Sequence, residues 1–281
     1  MPELPEVETI KRDLTGIVVD KRIEEVVILP DPRGIRALRR YPSIPGFITK
    51  ITGTRIEEIN RRGKYLLFLL NSRETLLCHL GMSGQLIYRP SVSPIDRFSR
   101  IIFRLNNGHD LRFIDPRKFG ELYLISPKDG DMTIDPSRLG WEPLSDDFGR
   151  DKLSRALRGR SLNIKGFLLD QKIIAGIGNI YSCEILFRAQ IHPSRPASSL
   201  SDDQITRLYS AIREILEEAV QCRGSTAADA RYADGFGKPG GFQMKHKVYQ
   251  REGKTCLDCG DLIERYKMGG RSTFFCSRCQ S

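Results

Sequence analysis

Long apolar runs are missing from this chain: the strongest, Tyr65 to Leu70, spans only six residues, against the roughly 20 that a helix needs to cross a bilayer. A membrane-spanning helix is therefore not expected. The N-terminus also lacks an uninterrupted apolar segment, since Glu3, Glu6, Glu8, Lys11 and Arg12 fall at its start, so no signal peptide is expected. A paired cysteine complement is missing too. There are seven cysteines, an odd number that argues against a secreted disulfide framework and for metal binding inside the cell. With 40% hydrophobic and 28% charged residues, 25 Gly and 15 Pro, the composition is neither disordered nor collagenous. No internal repeat stands out beyond two Cys-x-x-Cys knuckles near the C-terminus.

What is present fills about two ordinary domain lengths, 281 residues. Lys plus Arg number 45 and Asp plus Glu 35, a formal net charge of +10 that favours a polyanionic partner such as nucleic acid. Val7, Ile10 and Leu14 follow Pro5 at helical spacing, predicting a helix over 2–14 with proline in its first turn. Short β-rich runs come next, at 24–29, 64–70 and 101–105, the last joined through Asn107-Gly108 to 111–114. This half reads as a β-sandwich or flattened barrel. After Trp141 the pattern turns helical, with helices expected at 152–157, 164–169, 179–189 and 202–221. The last of these opens on a Ser201/Gln204 capping box and carries Ile205, Leu208, Ile212, Ile215 and Ala219 on one face. Residues 223–241 are rich in glycine and small residues and read as a loop or substrate lid.

Cys256-x-x-Cys259 and Cys276-x-x-Cys279 are separated by sixteen residues, a spacing that lets four thiolates surround one tetrahedral zinc. With all four corners filled the ion is structural, and it supplies folding energy that so short a segment cannot draw from a core. Between the knuckles, Gly269-Gly270 reads as a hairpin tip that presents Arg271. Residues 245–281 hold eight Lys or Arg against four Asp or Glu, so the module is basic. Cys78, Cys183 and Cys222 are expected to be ordinary buried or half-buried thiols.

Met1 precedes Pro2, a small residue that permits removal of the initiator methionine and leaves a secondary amine able to act as a nucleophile near neutral pH. Four segments then occur in order: Pro2-Glu-Leu-Pro-Glu-Val-Glu-Thr, Asp115-Pro-Arg-Lys-Phe-Gly120, Gly176-Ile-Gly-Asn-Ile-Tyr181 and the four-cysteine ribbon. Together they resemble the bacterial formamidopyrimidine-DNA glycosylase family over nearly the whole chain. The resemblance implies an α+β multidomain fold: an N-terminal catalytic β-sandwich with flanking helices (1–134), a helix-two-turns-helix domain with a lesion-covering loop (135–241) and a C-terminal zinc finger (242–281), DNA lying in the cleft between the halves. It also implies excision of 8-oxoguanine and formamidopyrimidines from duplex DNA, followed by cleavage of the abasic site.

Carried over residue by residue, Pro2 is the expected Schiff-base nucleophile, Glu3 the acid that protonates the sugar ring oxygen, and Glu6 the support for the amine. Lys64 and Arg271 match phosphate contacts that assist elimination. Met82, Arg117 and Phe119 match the side chains that fill the gap left by the extruded base. Asn179, at the start of a helix, matches a phosphate contact, and His79 and Arg160 are further phosphate candidates within a basic surface. Two departures stand out. Arg97-Phe-Ser-Arg100 replaces a histidine-containing stretch, and the 223–241 segment matches the family loop only loosely. The implied protein is a cytoplasmic, nucleoid-associated monomer of bacterial type, with one structural zinc and damaged double-stranded DNA as its partner. Rival readings are a sister enzyme for oxidised pyrimidines and a catalytically silent damage binder.

Overall fold

In the computed structural model, the described residues are 1–30, 36–39, 41, 43–126, 138–226 and 232–281. They form two compact units: 1–136 with 222–241, and 137–221 with 242–281. Residues 222–241, assigned to the helical domain by chain order, thus pack as part of the first unit, and the ribbon shares the second with the helices.

The first unit opens with α1 (Leu4–Val18), longer than its apolar spacing alone indicates. Its N-terminus is closed by a reciprocal capping box, the Glu3 side chain accepting from the Glu6 N–H and the Glu6 side chain from the Glu3 N–H. Strand β1 (Ile23–Ile28) and helix α2 (Ile44–Ile51) follow, then β2 (Ile56–Arg62), β3 (Tyr65–Leu70), β4 (Thr75–His79), β5 (Gln85–Pro90), β6 (Ser99–Leu105), β7 (His109–Ile114) and β8 (Glu121–Ile125). The strands make two antiparallel four-stranded sheets, ordered β1-β6-β7-β5 and β2-β3-β4-β8. In β3 the buried side chains are Leu66, Phe68 and Leu70, every second residue, as a strand with one face in a core requires. They share that core with Phe103, Leu111 and Phe113 of the other sheet and with Val7, Ile10 and Leu14 of α1. This is the sandwich expected from the sequence.

The second unit contains α3 (Arg150–Leu157), α4 (Ile164–Leu169), α5 (Asn179–Arg188) and α6 (Asp202–Gln221). The α6 cap forms as its residues foretell: Ser201 N–H donates to Gln204 Oε1 at 3.0 Å and Gln204 N–H to Ser201 Oγ at 3.3 Å. Beyond them, β9 (Glu264–Met268) and β10 (Arg271–Phe275) pair antiparallel around Gly269 and Gly270, which take φ of 54° and 76°. Only glycine adopts such angles at little cost. The hairpin stands on α5 through Cys183 and Phe187, packed with Val248, Ile263 and Phe274. Buried Glu184 accepts the N–H groups of Lys247, Val248 and Tyr249 at 2.9, 3.1 and 2.8 Å, fixing the root of the ribbon to the same helix.

Candidate active site and nucleic-acid interface

At the start of α1, Pro2, Glu3 and Glu6 are all buried, while Met1 is 46% exposed. Both Glu6 oxygens are engaged: Oε2 accepts the Glu3 N–H at 2.8 Å and Oε1 the Ser225 N–H at 2.7 Å. The second bond comes from the 222–241 segment. Its chain reversal places Gly224 at φ +79°, where an added Cβ would lie 2.9 Å from Glu6 Cγ and Oε1, so the close approach depends on glycine. Arg223 braces this stem by donating to Asp13 of α1 at 2.7 Å and to buried Asp234. Tyr232 adds a hydroxyl bond to the Arg223 carbonyl at 3.0 Å. The expected lid residues 227–231 lie outside the described residues, but both sides of that stretch are fastened to α1.

Lys64 is the second residue of the Gly63-Lys64 turn between β2 and β3 and is 7% exposed. The turn is tied to α1 through Arg61, which donates to Glu8 at 2.8 Å and to the Gly63 carbonyl at 3.0 Å. Although burial opposes it, the guanidinium bonds from Arg61 and Arg12 hold the Glu8 carboxyl below its usual range. His79, opposite Tyr65 on β4, is pushed down to about 4, first by burial and then by the nearby Lys64 charge. At neutral pH it is therefore an uncharged ring whose Nδ1 accepts the Gly81 N–H at 3.3 Å, leaving Nε2 as the donor. It can offer a hydrogen bond to a phosphate, without the cationic charge of a basic phosphate contact.

Met82 and Phe119 are exposed, by 41% and 45%, and the Arg117 guanidinium lies 5.1 Å from the Phe119 ring centre. The three expected gap-filling residues come from two loops that interlock. Gly81, at φ +61°, approaches the Phe119 carbonyl so closely that a Cβ would sit 2.5 Å from it. Asp115 is the hub: its Oδ1 accepts from Ser83 Oγ at 2.7 Å and the Arg117 N–H at 3.2 Å, and its Oδ2 from the Gly120 N–H at 2.7 Å. Large apolar and cationic tips are thus presented to solvent from a rigid base, an arrangement suited to entering a gap in a base stack.

In the second unit, Asn179 is the first helical residue after the Gly178 N-cap. Its Nδ2 donates to the Ser272 carbonyl at 3.0 Å, so the amide holds the hairpin that carries Arg271. Lys165 joins it from α4, fully buried, donating to the same carbonyl at 3.1 Å and to Thr273 Oγ1 at 2.9 Å. Sequence reasoning did not single out Lys165, because nothing local marks a lysine whose oxygen partners lie more than a hundred residues on. Arg271 is exposed beside a groove of about 280 Å³ lined also by Asn163, Lys165 and Met268. Arg160 stands apart, just past α3, with Nε bonded to the Ala156 carbonyl at 2.8 Å.

The ligand atoms of Cys256, Cys259, Cys276 and Cys279 lie within 4.8 Å of one another. The Cys256–Cys279 and Cys259–Cys276 sulfurs are 3.9 and 3.5 Å apart, close to the roughly 3.8 Å edge of a tetrahedron with Zn–S bonds of about 2.3 Å. The donor set fits one structural zinc. Cys78 and Cys183 are buried and Cys222 half-buried.

Two antiparallel sheets over one core, followed by a helical unit with a four-cysteine ribbon, define a two-unit α+β zinc-ribbon protein. Family models described as the formamidopyrimidine-DNA glycosylase N-terminal domain, its H2TH domain, and a zinc finger found in FPG and IleRS match residues 1–122, 139–230 and 253–281. Formamidopyrimidine-DNA glycosylase of Pelotomaculum thermopropionicum is 44% identical over 280 residues, covering 100% of this chain and 99% of that protein. The crystal structure of the MutM (Fpg) protein of Thermus thermophilus superposes with a TM-score of 0.86 at 42% identity, covering 99% of this chain and 98% of that one. The Lactococcus lactis Fpg in complex with DNA containing Fapy-dG gives 0.87 at 32% identity, covering 99% of each chain. The chain belongs to the formamidopyrimidine-DNA glycosylase family.

Proposed function

We propose that this chain excises oxidised purines, 8-oxoguanine and formamidopyrimidines, from duplex DNA and then cleaves the strand at the resulting abasic site. The observation that carries the reading is the buried Pro2-Glu3-Glu6 constellation at the capped start of α1, next to an exposed Met1. Removal of Met1 frees the Pro2 secondary amine, which attacks the sugar C1′ as the damaged base departs, with Glu3 delivering a proton to the ring oxygen. Loss of water from nitrogen is not needed, because ring opening itself gives the iminium. The C2′ proton then leaves, its electrons forming a C2′–C3′ double bond as the C3′–O bond breaks and the 3′ phosphate is expelled, and a second elimination breaks the C5′–O bond and expels the 5′ phosphate. A one-nucleotide gap with phosphates at both ends results.

Glu6, held by two N–H donors, steadies the amine end of the helix, and Lys64 and Arg271 neutralise phosphate charge during elimination. Met82, Arg117 and Phe119 fill the vacated stack, Arg117 offering guanidinium donors to the orphaned cytosine. The 222–241 segment serves as the cover over the extruded base, its stem anchored on Glu6 and Asp13. Asn179 supports the phosphate-binding hairpin from within. We assign the chain to the bacterial cytoplasm as a monomer working on DNA; among the described residues, no helix is long and apolar enough to cross a membrane.

Borohydride trapping on an 8-oxoguanine:cytosine duplex, with mass analysis of the cross-linked N-terminal peptide, tests the mechanism. A covalent adduct on Pro2 is expected. Strand cleavage with no adduct there would overturn the amine assignment, and turnover confined to oxidised-pyrimidine duplexes would overturn the substrate class.

A further inference from the structure

Glu8 is a buried carboxylate that the mechanism above does not use. It sits on α1, the helix whose start carries Pro2, with its side chain 11% exposed and both oxygens taken by arginines. Oε1 accepts from Arg12 Nε at 2.9 Å and Oε2 from Arg61 Nε at 2.8 Å. The two partners differ in kind. The Arg12 side chain, one turn further along the same helix, is 62% exposed, whereas that of Arg61, from β2, is 9% exposed. A pair open to solvent constrains little, but a buried guanidinium is costly to part from its carboxylate and stays where that carboxylate puts it.

Arg61 passes that constraint on to the β2–β3 turn by donating to the Gly63 carbonyl at 3.0 Å. Arg62 pairs with Tyr65 across the sheet, so Gly63 and Lys64 are the two central residues of the turn. Gly63 takes φ +55° while Lys64 stays out of the left-handed region, the pattern of a two-residue hairpin with glycine first. The central peptide of such a turn has two orientations, and the other one requires positive φ at the second residue as well. The bonded carbonyl belongs to that central peptide, so Arg61 fixes the backbone from which the Lys64 side chain departs. Because Lys64 is only 7% exposed, few directions are open to its ammonium, and a small rotation of the backbone changes which one it takes.

We propose that Glu8 is a positioning residue for the elimination step: acting through the Arg61 guanidinium, its carboxylate locks the Gly63–Lys64 peptide and so aims the Lys64 ammonium at the phosphate that departs. This rests on the reading of the chain as a glycosylase and abasic-site lyase, in which Pro2 forms the iminium and Lys64 assists its breakdown. One helix then sets both groups, Pro2 at its start and Lys64 through a strut from its side. Glu8 touches neither substrate nor Pro2, so the strut governs the step that needs Lys64 and leaves attack by the amine unchanged.

The test is a single-turnover reaction of the full chain with a duplex carrying a preformed abasic site, following both the borohydride-trappable adduct on Pro2 and strand cleavage. In Glu8→Ala and Arg61→Met the adduct is expected to form at the parent rate and then accumulate, because misplacing Lys64 slows cleavage about tenfold or more. Arg61→Met leaves Glu8 paired with Arg12 and decides the matter should Glu8→Ala not fold. Arg12→Ala, which removes only the exposed partner, behaves as the parent. In a Lys64→Met background, adding Arg61→Met slows cleavage no further, since residues that act through one group are not additive. Parent-like cleavage in Arg61→Met, equal slowing of adduct formation and cleavage, or a full additional loss in the Lys64→Met background would each overturn the proposal. Absence of both adduct and cleavage with the unsubstituted protein would instead overturn the lyase reading on which it rests.

Discussion

Replacing Asp115 by Asn changes one atom in a group whose two oxygens serve three donors from two loops. Asp115 is 1% exposed, and Gly120 N–H, Arg117 N–H and Ser83 Oγ all point at it. An amide can satisfy the Oδ1 side or the Oδ2 side, and its NH2 then faces a donor on the other. Keeping the oxygen toward Ser83 and Arg117 forfeits a charge-assisted bond to Gly120, about 1.5–3 kcal/mol, and leaves that buried N–H unpaired. The expected destabilisation is therefore about 3 kcal/mol, or a melting temperature lower by roughly 6–12 °C for a unit of this size. Because Gly120 follows Phe119 directly, the same change loosens the ring, and affinity for a tetrahydrofuran-containing duplex should fall about tenfold at 25 °C, where the variant is still folded. Calorimetry and fluorescence anisotropy read the two effects. Parent-like melting would show that Asp115 is not the hub described; lowered melting with unchanged affinity would show that the loop does not enter the gap.

Other consequences are as direct. His79 and His246 are both pushed down to about 4, burial being the largest cause in each, so between pH 6.5 and 4 the unfolded chain binds protons that the native state refuses. The stability they confer is complete above 6.5 and declines as pH falls, by up to about 1.4 kcal/mol per unit for each ring; denaturant titrations should show a shallower decline in His79→Gln, and an unchanged slope would contradict the burial argument. Stripping zinc with a strong chelator should release one ion per chain, expose four thiols to titration and abolish tight DNA binding, whereas four freely titrating thiols before chelation would exclude the metal site. Lys165→Met, close in volume, leaves the Thr273 hydroxyl without its buried ammonium partner and should lower stability by about 2 kcal/mol; abasic-strand cleavage that stays at the parent rate would refute a role for Lys165 in positioning the Arg271 hairpin. Arg223→Ala should slow base excision far more than cleavage of a preformed abasic site if the stem it braces covers the base, and equal losses on both substrates would show otherwise.

Much of the architecture was legible wherever the information is local. The α6 capping box needs only Ser201 and Gln204, three residues apart, and α4 begins and ends at the residues its pattern marks. Two Cys-x-x-Cys knuckles are enough to foretell the sulfur cluster, because each knuckle brings two ligands together within one turn of chain. The strands of weaker alternation were not: β2, β4, β5 and β8 emerge only with their neighbours, since cross-strand pairing decides them more than intrinsic preference. The placement of 222–241 in the first unit was likewise invisible, as chain order puts it after the helices, while its bonds run to Glu6 and Asp13 more than 200 positions earlier.

The candidate site divides along the same line. By itself the sequence determined which chemistry was available: an amine behind a removable methionine, paired carboxylates one helical turn apart, four thiols at zinc spacing and a surplus of cations. Those properties reside in residue identity and short spacing. Tertiary structure alone decided which of those groups are charged, aimed or shielded. It made His79 neutral by burying it near Lys64, turned Asn179 inward to Ser272, buried Lys165 beneath the hairpin and gathered two loops on Asp115. Protonation, orientation and solvent access depend on what packs around a group, and those neighbours come from parts of the chain too distant for any local pattern to record.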